Sequence, residues 1–187
     1  MSVAVVPVTP ERWDDMCMLF ERRGPRSGFR NVPGYGCWCM YWRDRSLEHG
    51  EPKKRAMERL VRAGRQPGLL GYDDAGKPVG WVSVCPREDF PVLLRSPHYK
   101  PREPGGGDTV WSLVCFVVDK PLRRSGIAAA LLDAAVDRAF GNGASSLEVY
   151  PHKTELANYM GHVELFERAG FVPVRETSKR VIMRLER

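Results

Sequence analysis

Apolar and polar positions alternate with different periods along this 187-residue chain, and the changes of period mark its elements. VAVVPVT, residues 3–9, is almost wholly apolar and reads as a first strand. Pro10 then opens a helix in which Trp13, Met16 and Phe20 recur at helical spacing. Gly and Pro interrupt any period through PRSGFRNVPGYG. EPKKRAMERLVRAGR predicts an amphipathic helix with Ala56, Leu60 and Val61 on one side and Gly64 near its end. Two apolar runs around DDAGKP predict a β-hairpin over Gly68–Cys85. Phe90–Asp108 holds four prolines and GGG, so it reads as a long loop with at most a short helical turn.

The signal sharpens in the second half. TVWSLVCFVVD is a run of β-branched and aromatic residues, the composition of a strand buried on both faces. A helix follows, with Ala128, Leu131, Leu132, Ala135 and Ala139 on one face and glycines at 141 and 143 to stop it. SSLEVYP predicts a strand, VELFERAG a short helix, and FVPVRETSKRVIMRLE two strands around a turn. An antiparallel first half joined to strand–helix–strand–helix–strand–strand predicts one α/β domain over residues 1–187. Its sheet is mixed, mostly antiparallel, with helices on both faces. Residues 1–76 form an N-terminal part and 77–187 the strand–helix part.

Composition narrows the class without choosing a function. Hydrophobic residues make up 43% and charged residues 28%, ordinary for a globular chain. The longest apolar run, Val110 to Val118, falls far short of the roughly 18 residues of a membrane helix. MSVAVVPVTPERW has neither a basic start nor a long apolar block, so a cytoplasmic location without membrane association is expected. Five cysteines without an export signal predict reduced thiols. A net charge of +6 fits nucleic acid, an anionic surface or an anionic cofactor equally well.

RRSGIA, Arg123 to Ala128, carries the clearest chemistry. It lies between the buried strand and the helix that the strand feeds. First-turn N–H groups have no partner inside a helix, and with the macrodipole they make an anion site. Gly126 and Ala128 let a phosphate approach the main chain, and Arg123 and Arg124 add positive charge. Neither a dinucleotide Gly-x-Gly-x-x-Gly nor a P-loop Gly-Lys-Ser/Thr is present.

VCFVVDKPLRRSGIAAALLDAAVDRA resembles the acetyl-CoA motif of the GNAT N-acetyltransferase superfamily, Arg/Gln-x-x-Gly-x-Gly/Ala after a central strand. LFERAGF resembles that family's following segment and GKPVGWVSV its preceding hairpin strand. The resemblance implies a single-domain acetyltransferase that uses acetyl-CoA as co-substrate and needs no metal. It implies that the main chain of Cys115, Phe116, Val117 and Val118 runs beside the pantetheine arm. Arg123, Arg124, Ser125, Gly126, Ile127 and Ala128 would hold the pyrophosphate, and an N–H near Phe116 or Val117 would polarise the thioester. The amine would attack directly, without an acyl-enzyme. Residues 1–76 would then lie on the acceptor side.

Two positions depart from the family pattern. Phe166 stands where many members have a tyrosine that protonates the leaving thiolate, and a phenyl ring cannot donate. Tyr159 is the substitute candidate, against a plain packing or surface role. Asn158 lies one place from a cofactor-contacting asparagine of the family. Ser112 stands where some members place a glutamate base. On SLEVYPH, Glu148 alternates with apolar Leu147 and Val149, which makes it the candidate base; the alternative is a glutamate paired to an arginine. His98 and His152 fall in the useful titration range but stand singly. Cys115, on a buried strand, is not expected to be a nucleophile.

GYGCWCMYWRD, residues 34–44, concentrates aromatic residues and two cysteines. Cys37-x-Cys39 lacks the second pair that tetrahedral zinc requires and is not the Cys-x-x-Cys of oxidoreductases. A helix begun near Cys37 would put Trp38, Tyr41 and Trp42 on one face. That stripe packs on the sheet or forms an acceptor wall for a flat or apolar amine. The expected substrate is a small-molecule amine. Alternatives are a protein or peptide amine, or a non-catalytic acyl-CoA sensor. No helix-turn-helix, RNP-like strand or zinc knuckle points to nucleic acid; a homodimer stays open.

Overall fold

The apolar run at residues 110–118 becomes the middle strand of a seven-stranded sheet. The structure is a computed structural model that describes residues 2–21, 37–99, 109–153 and 159–187. The strands are β1 (Ala4–Pro7), β2 (Leu69–Tyr72), β3 (Pro78–Pro86), β4 (Val110–Val118), β5 (Ser146–Val149), β6 (Val172–Glu176) and β7 (Val181–Glu186). The helices are α1 (Trp13–Glu21), α2 (Glu51–Arg62), α3 (Pro91–Arg95), α4 (Ile127–Gly141) and α5 (Val163–Arg168). Sheet order is β1-β2-β3-β4-β5-β7-β6, antiparallel except for the β4–β5 pair. The predicted mixed sheet and β2–β3 hairpin are therefore formed. The parallel pair needs a crossover, which α4 supplies.

Helices cover both faces of the sheet. Ile127, Leu131, Leu132, Ala135 and Ala139 of α4 pack with Val82, Leu113, Phe116 and Phe166 in one core. Gly80 permits that approach, because a Cβ there would lie 2.9 Å from both Ile127 and Leu131 side chains. On the other face α1 and α2 bury Met16, Phe20, Met57 and Val61 around Trp38 and Trp81. A third cluster under the β4–β5 boundary holds Trp42, Cys85, Phe90, Val114, Tyr150 and Met160.

The loop expected over Phe90–Asp108 contains the short α3, which begins at a proline; residues 100–108 lie outside the described part. The helix expected from Cys37 is not formed. Residues 37–43 make consecutive turns, with Trp38 and Cys39 at φ 46° and 51°. Two successive left-handed non-glycine residues cannot continue a right-handed helix. The common aromatic face is lost with it. Trp38 stacks on Phe20 with centroids 5.1 Å apart, Trp42 joins the third cluster, and Tyr41 is exposed.

Candidate active site

β4 and β5 pair only from Val110↔Ser146 to Leu113↔Val149. Beyond Leu113, β4 runs on for five residues without β5 beside it. At the same place the register with β3 shifts, from Val84↔Leu113 to Ser83↔Cys115, so Val114 is an extra residue in β4. Such a bulge bends the strand and frees main-chain groups from the ladder. The result is a cleft whose β4 wall is Cys115 to Val118, the stretch singled out in the sequence.

The far end of that wall leads to the Arg123–Ala128 loop. A 3-10 turn over Lys120–Leu122 ends the strand's path, and the Ser125 hydroxyl donates to the Leu122 carbonyl. Arg124 and Gly126 both adopt left-handed φ, 66° and 88°, which turns the chain into α4. Nothing lies within 4 Å of where a Gly126 Cβ would stand. The first-turn N–H groups of α4 therefore open onto free space beside exposed Arg123 and Arg124, the arrangement an anion requires.

The N–H expected to polarise a thioester is differently engaged. Phe116 N–H donates to the Tyr159 carbonyl across the mouth of the cleft. Tyr159 contributes its carbonyl there, while its side chain is 45% exposed. Gly161 follows at φ 83°, and a Cβ on it would meet the Phe166 ring at 2.7 Å. Phe166 is fully buried between Phe116 and Phe171, a core ring rather than a cleft group. Asn158 lies outside the described residues.

Below the bulge, three strands align a polar row. Ser112 is opposite Glu148, and Glu148 is opposite Arg184. Glu148 does not stand free in the cleft as a lone base would. Arg87 Nη1 donates to its Oε2 at 3.2 Å and Arg184 Nη2 to its Oε1 at 2.8 Å. The arginine-paired alternative is what forms, and both arginines were missed in the sequence because they lie 61 and 36 residues away. Tyr150 was missed as well. Its hydroxyl donates to Glu148 Oε2 at 3.0 Å and lies 2.8 Å from Ser112 Oγ. Its signal was the two-residue spacing from Glu148, which places both on one face of the extended chain at the end of β5. Burial and the adjacent Glu148 push the Tyr150 phenol well above its usual range, so it stays protonated.

Aromatic rings border this row. Tyr99 meets Trp42 and Tyr150 edge to face at 5.2 and 5.8 Å. Of the predicted aromatic residues, Trp42 adjoins the row; Trp38 lies in the α1–α2 core and Tyr41 on the surface. Cys115 is half-buried, and its hydrogen bond to Cys39 together with desolvation raises its thiol, as expected of an inert thiol. Burial and the nearby Arg180 and Lys179 lower His152. A separate cavity of about 460 Å³ lies toward α2, bounded by Met40, Arg43, Leu60, Pro67 and Cys85. Among the described residues no cluster is able to hold a metal, and no helix is long and apolar enough to cross a membrane.

No curated protein sequence matches the chain. Solved structures share its fold. A GNAT-family acetyltransferase from Streptococcus pneumoniae superposes with TM-score 0.59 at 16% identity, covering 100% of both chains. NAA60 of Arabidopsis thaliana, in complex with acetyl-CoA, gives 0.57 at 12%, again covering 100% of both. The polyamine N-acetyltransferase of Drosophila melanogaster gives 0.57 at 11% with the same coverage. The model of the acetyltransferase (GNAT) family matches residues 35–171, which span the β4 cleft, the α4 loop and all of the polar row except Arg184. The chain belongs to the GNAT family of acetyltransferases.

Proposed function

We propose that this acetyltransferase takes acetyl-CoA as donor and passes the acetyl group directly to the amine of a small molecule. The observation that carries the donor is the continuity of the β4 wall with the open Gly126 turn. One face offers main-chain groups to an extended arm, and its end offers unpaired N–H groups to a pyrophosphate. Relatives of the same fold include structures holding acetyl-CoA or CoA. Arg123, Arg124, Ser125, Gly126, Ile127 and Ala128 hold the pyrophosphate in this reading, and Cys115 to Val118 line the arm. Direct transfer accords with the raised, half-buried Cys115 thiol, which is no activated nucleophile.

For the acceptor, the edge-to-face rings of buried Trp42 and Tyr150 and half-buried Tyr99 support a compact site with an apolar wall. A second reading is a peptide amine, since one neighbour of the fold is a NatC complex bound to a peptide and CoA. CoA release from acetyl-CoA, followed over a panel of arylalkylamines, polyamines and short peptides, tests both. Turnover confined to the peptides overturns the small-molecule acceptor. CoA binding without turnover on any amine leaves the chain as an acyl-CoA sensor.

A further inference from the structure

The cavity of about 460 Å³ lies between residues 40–47, α2, residues 65–67 and the end of β3. Neither the cofactor wall Cys115–Val118 nor the row of Ser112, Glu148 and Tyr150 lines it. Its surface combines apolar Leu47, Leu60 and Pro67 with the guanidinium groups of Arg43, Arg59 and Arg65. Asp44 and Asp89 also line it, and both carboxylates are engaged. Asp44 Oδ1 accepts from the Ser46 N–H and hydroxyl at 2.8 and 2.6 Å, and Asp89 Oδ1 accepts from Arg65 at 3.0 Å. Three arginines against two aspartates leave the lining net positive.

Arg43 is the arginine left short of acceptors. Its side chain is only 9% exposed. Nη1 donates to the Asp89 carbonyl and Nη2 to Cys85 Sγ, both at 3.2 Å, and the guanidinium lies 4.5 Å from the Phe90 ring centroid. Asp89 and Cys85 line the same cavity, so these contacts hold the charged head in its wall. Sulfur is a weak acceptor, and burial raises the Cys85 thiol, so it meets the cation uncharged. Asp89 Oδ2 stands 3.8 Å from Nη1, and that carboxylate is shared with Arg65. Arg43 Nε is buried and has no hydrogen-bond partner among the described residues. A buried donor left in this way is costly until an acceptor meets it.

We propose that this cavity is a second ligand site, for a small carboxylic acid with an apolar body. The carboxylate accepts from Arg43, including its Nε, and pairs with exposed Arg59 at the rim. The apolar body covers Leu47, Leu60 and Pro67. An amine in the same place would meet three guanidinium groups and two carboxylates already engaged, which separates this site from that of the acceptor. Inorganic phosphate would match the charge and leave the apolar wall uncovered. Trp42 packs with Tyr150 in the third cluster while Arg43, next in the chain, lines the cavity. The two sites therefore stand on either side of one short segment. Binding there does not require acetyl transfer.

Calorimetry on the full chain tests this with 4-phenylbutyrate as the probe. The comparators are 4-phenylbutan-1-ol, 4-phenylbutylamine and inorganic phosphate. The acid should bind about tenfold or more tightly than each of them. Saturating CoA should leave its affinity unchanged. Arg43→Gln should weaken the acid about tenfold or more while sparing the alcohol. Arg59→Glu changes an exposed residue, serves where Arg43→Gln does not fold, and should weaken the acid about three- to tenfold. Equal affinity for the acid and the alcohol or amine overturns the site, as does displacement by CoA. So does an acid affinity unchanged in a folded variant, or no binding at about 10 mM acid. Phosphate bound as tightly as the acid marks a surface anion patch and overturns it too. CoA release with amines reports on acetyl transfer separately, so either reading is able to fail alone.

Discussion

The two ends of β4 solve opposite problems. Toward Arg123–Ala128 the work is done by main chain: left-handed turns at Arg124 and Gly126, unpaired N–H groups and empty space. Toward Ser112 it is done by side chains from four elements, packed and hydrogen-bonded with no room to spare. A main-chain site tolerates most side-chain changes and fails when backbone freedom is lost. A side-chain network fails when any member is truncated, because each partner is then left buried and unpaired.

Glu148→Ala should break the comparison most sharply. It strands buried Arg87 beside Arg184 and should cost about 3–5 kcal/mol in urea unfolding. Trp38→Ala should cost a similar amount, about 3–5 kcal/mol, because that ring is packed between Trp13 and Phe20. Its loss should weaken donor and acceptor kinetics together, whereas Trp42→Ala should raise the KM of the acceptor and spare that of acetyl-CoA. Equal effects of both tryptophan changes on donor KM would erase the distinction. Gly126→Val places a β-branched residue at φ 88° and a side chain in the open space, so acetyl-CoA KM should rise about tenfold or more. Urea unfolding should show a smaller loss than for Glu148→Ala, about 1–3 kcal/mol.

Outside both ends, burial raises the Cys17 thiol from 9.0 to about 11. The folded state therefore holds that proton more tightly than the unfolded chain. The stability linked to it is complete below pH 9 and is lost as pH rises toward 11. Cys17→Ala should flatten that part of the unfolding profile. The smallest effect expected is for Arg55→Ala, whose exposed i,i+4 pair with Glu51 is worth about 0.3–0.5 kcal/mol.

The main-chain end was legible in the sequence and the side-chain end was not. Gly126 and Ala128 between an apolar strand and an Ala-rich helix state a local geometry, and local geometry is what neighbouring residues determine. The polar row depends on register among β4, β5 and β7, which no local pattern encodes. Arg87 and Arg184 look like any other arginines of a basic chain until the sheet brings them to Glu148. The Cys37–Trp42 segment misled for another reason. Its i, i+3 and i+4 spacing satisfied the helical template, but Trp38 and Cys39 took left-handed conformations because Trp38 fits between Trp13 and Phe20. Tertiary packing outweighed periodicity.

The extra residue in β4 has a consequence of parity. In a regular strand the side chains of 112, 114 and 116 would share a face, and 113, 115 and 117 the other. With Val114 inserted, Val114 and Cys115 both look toward the α1–α2 side, and Phe116 joins Leu113 against α4. Pairing all nine residues of β4 in strict alternation, with Val114 kept but the bulge removed, would leave one half of the strand facing the wrong way. Phe116 and Val117 would exchange faces, or Ser112 would turn from Tyr150 into the α4 core. One residue out of step lets a single strand keep both appointments.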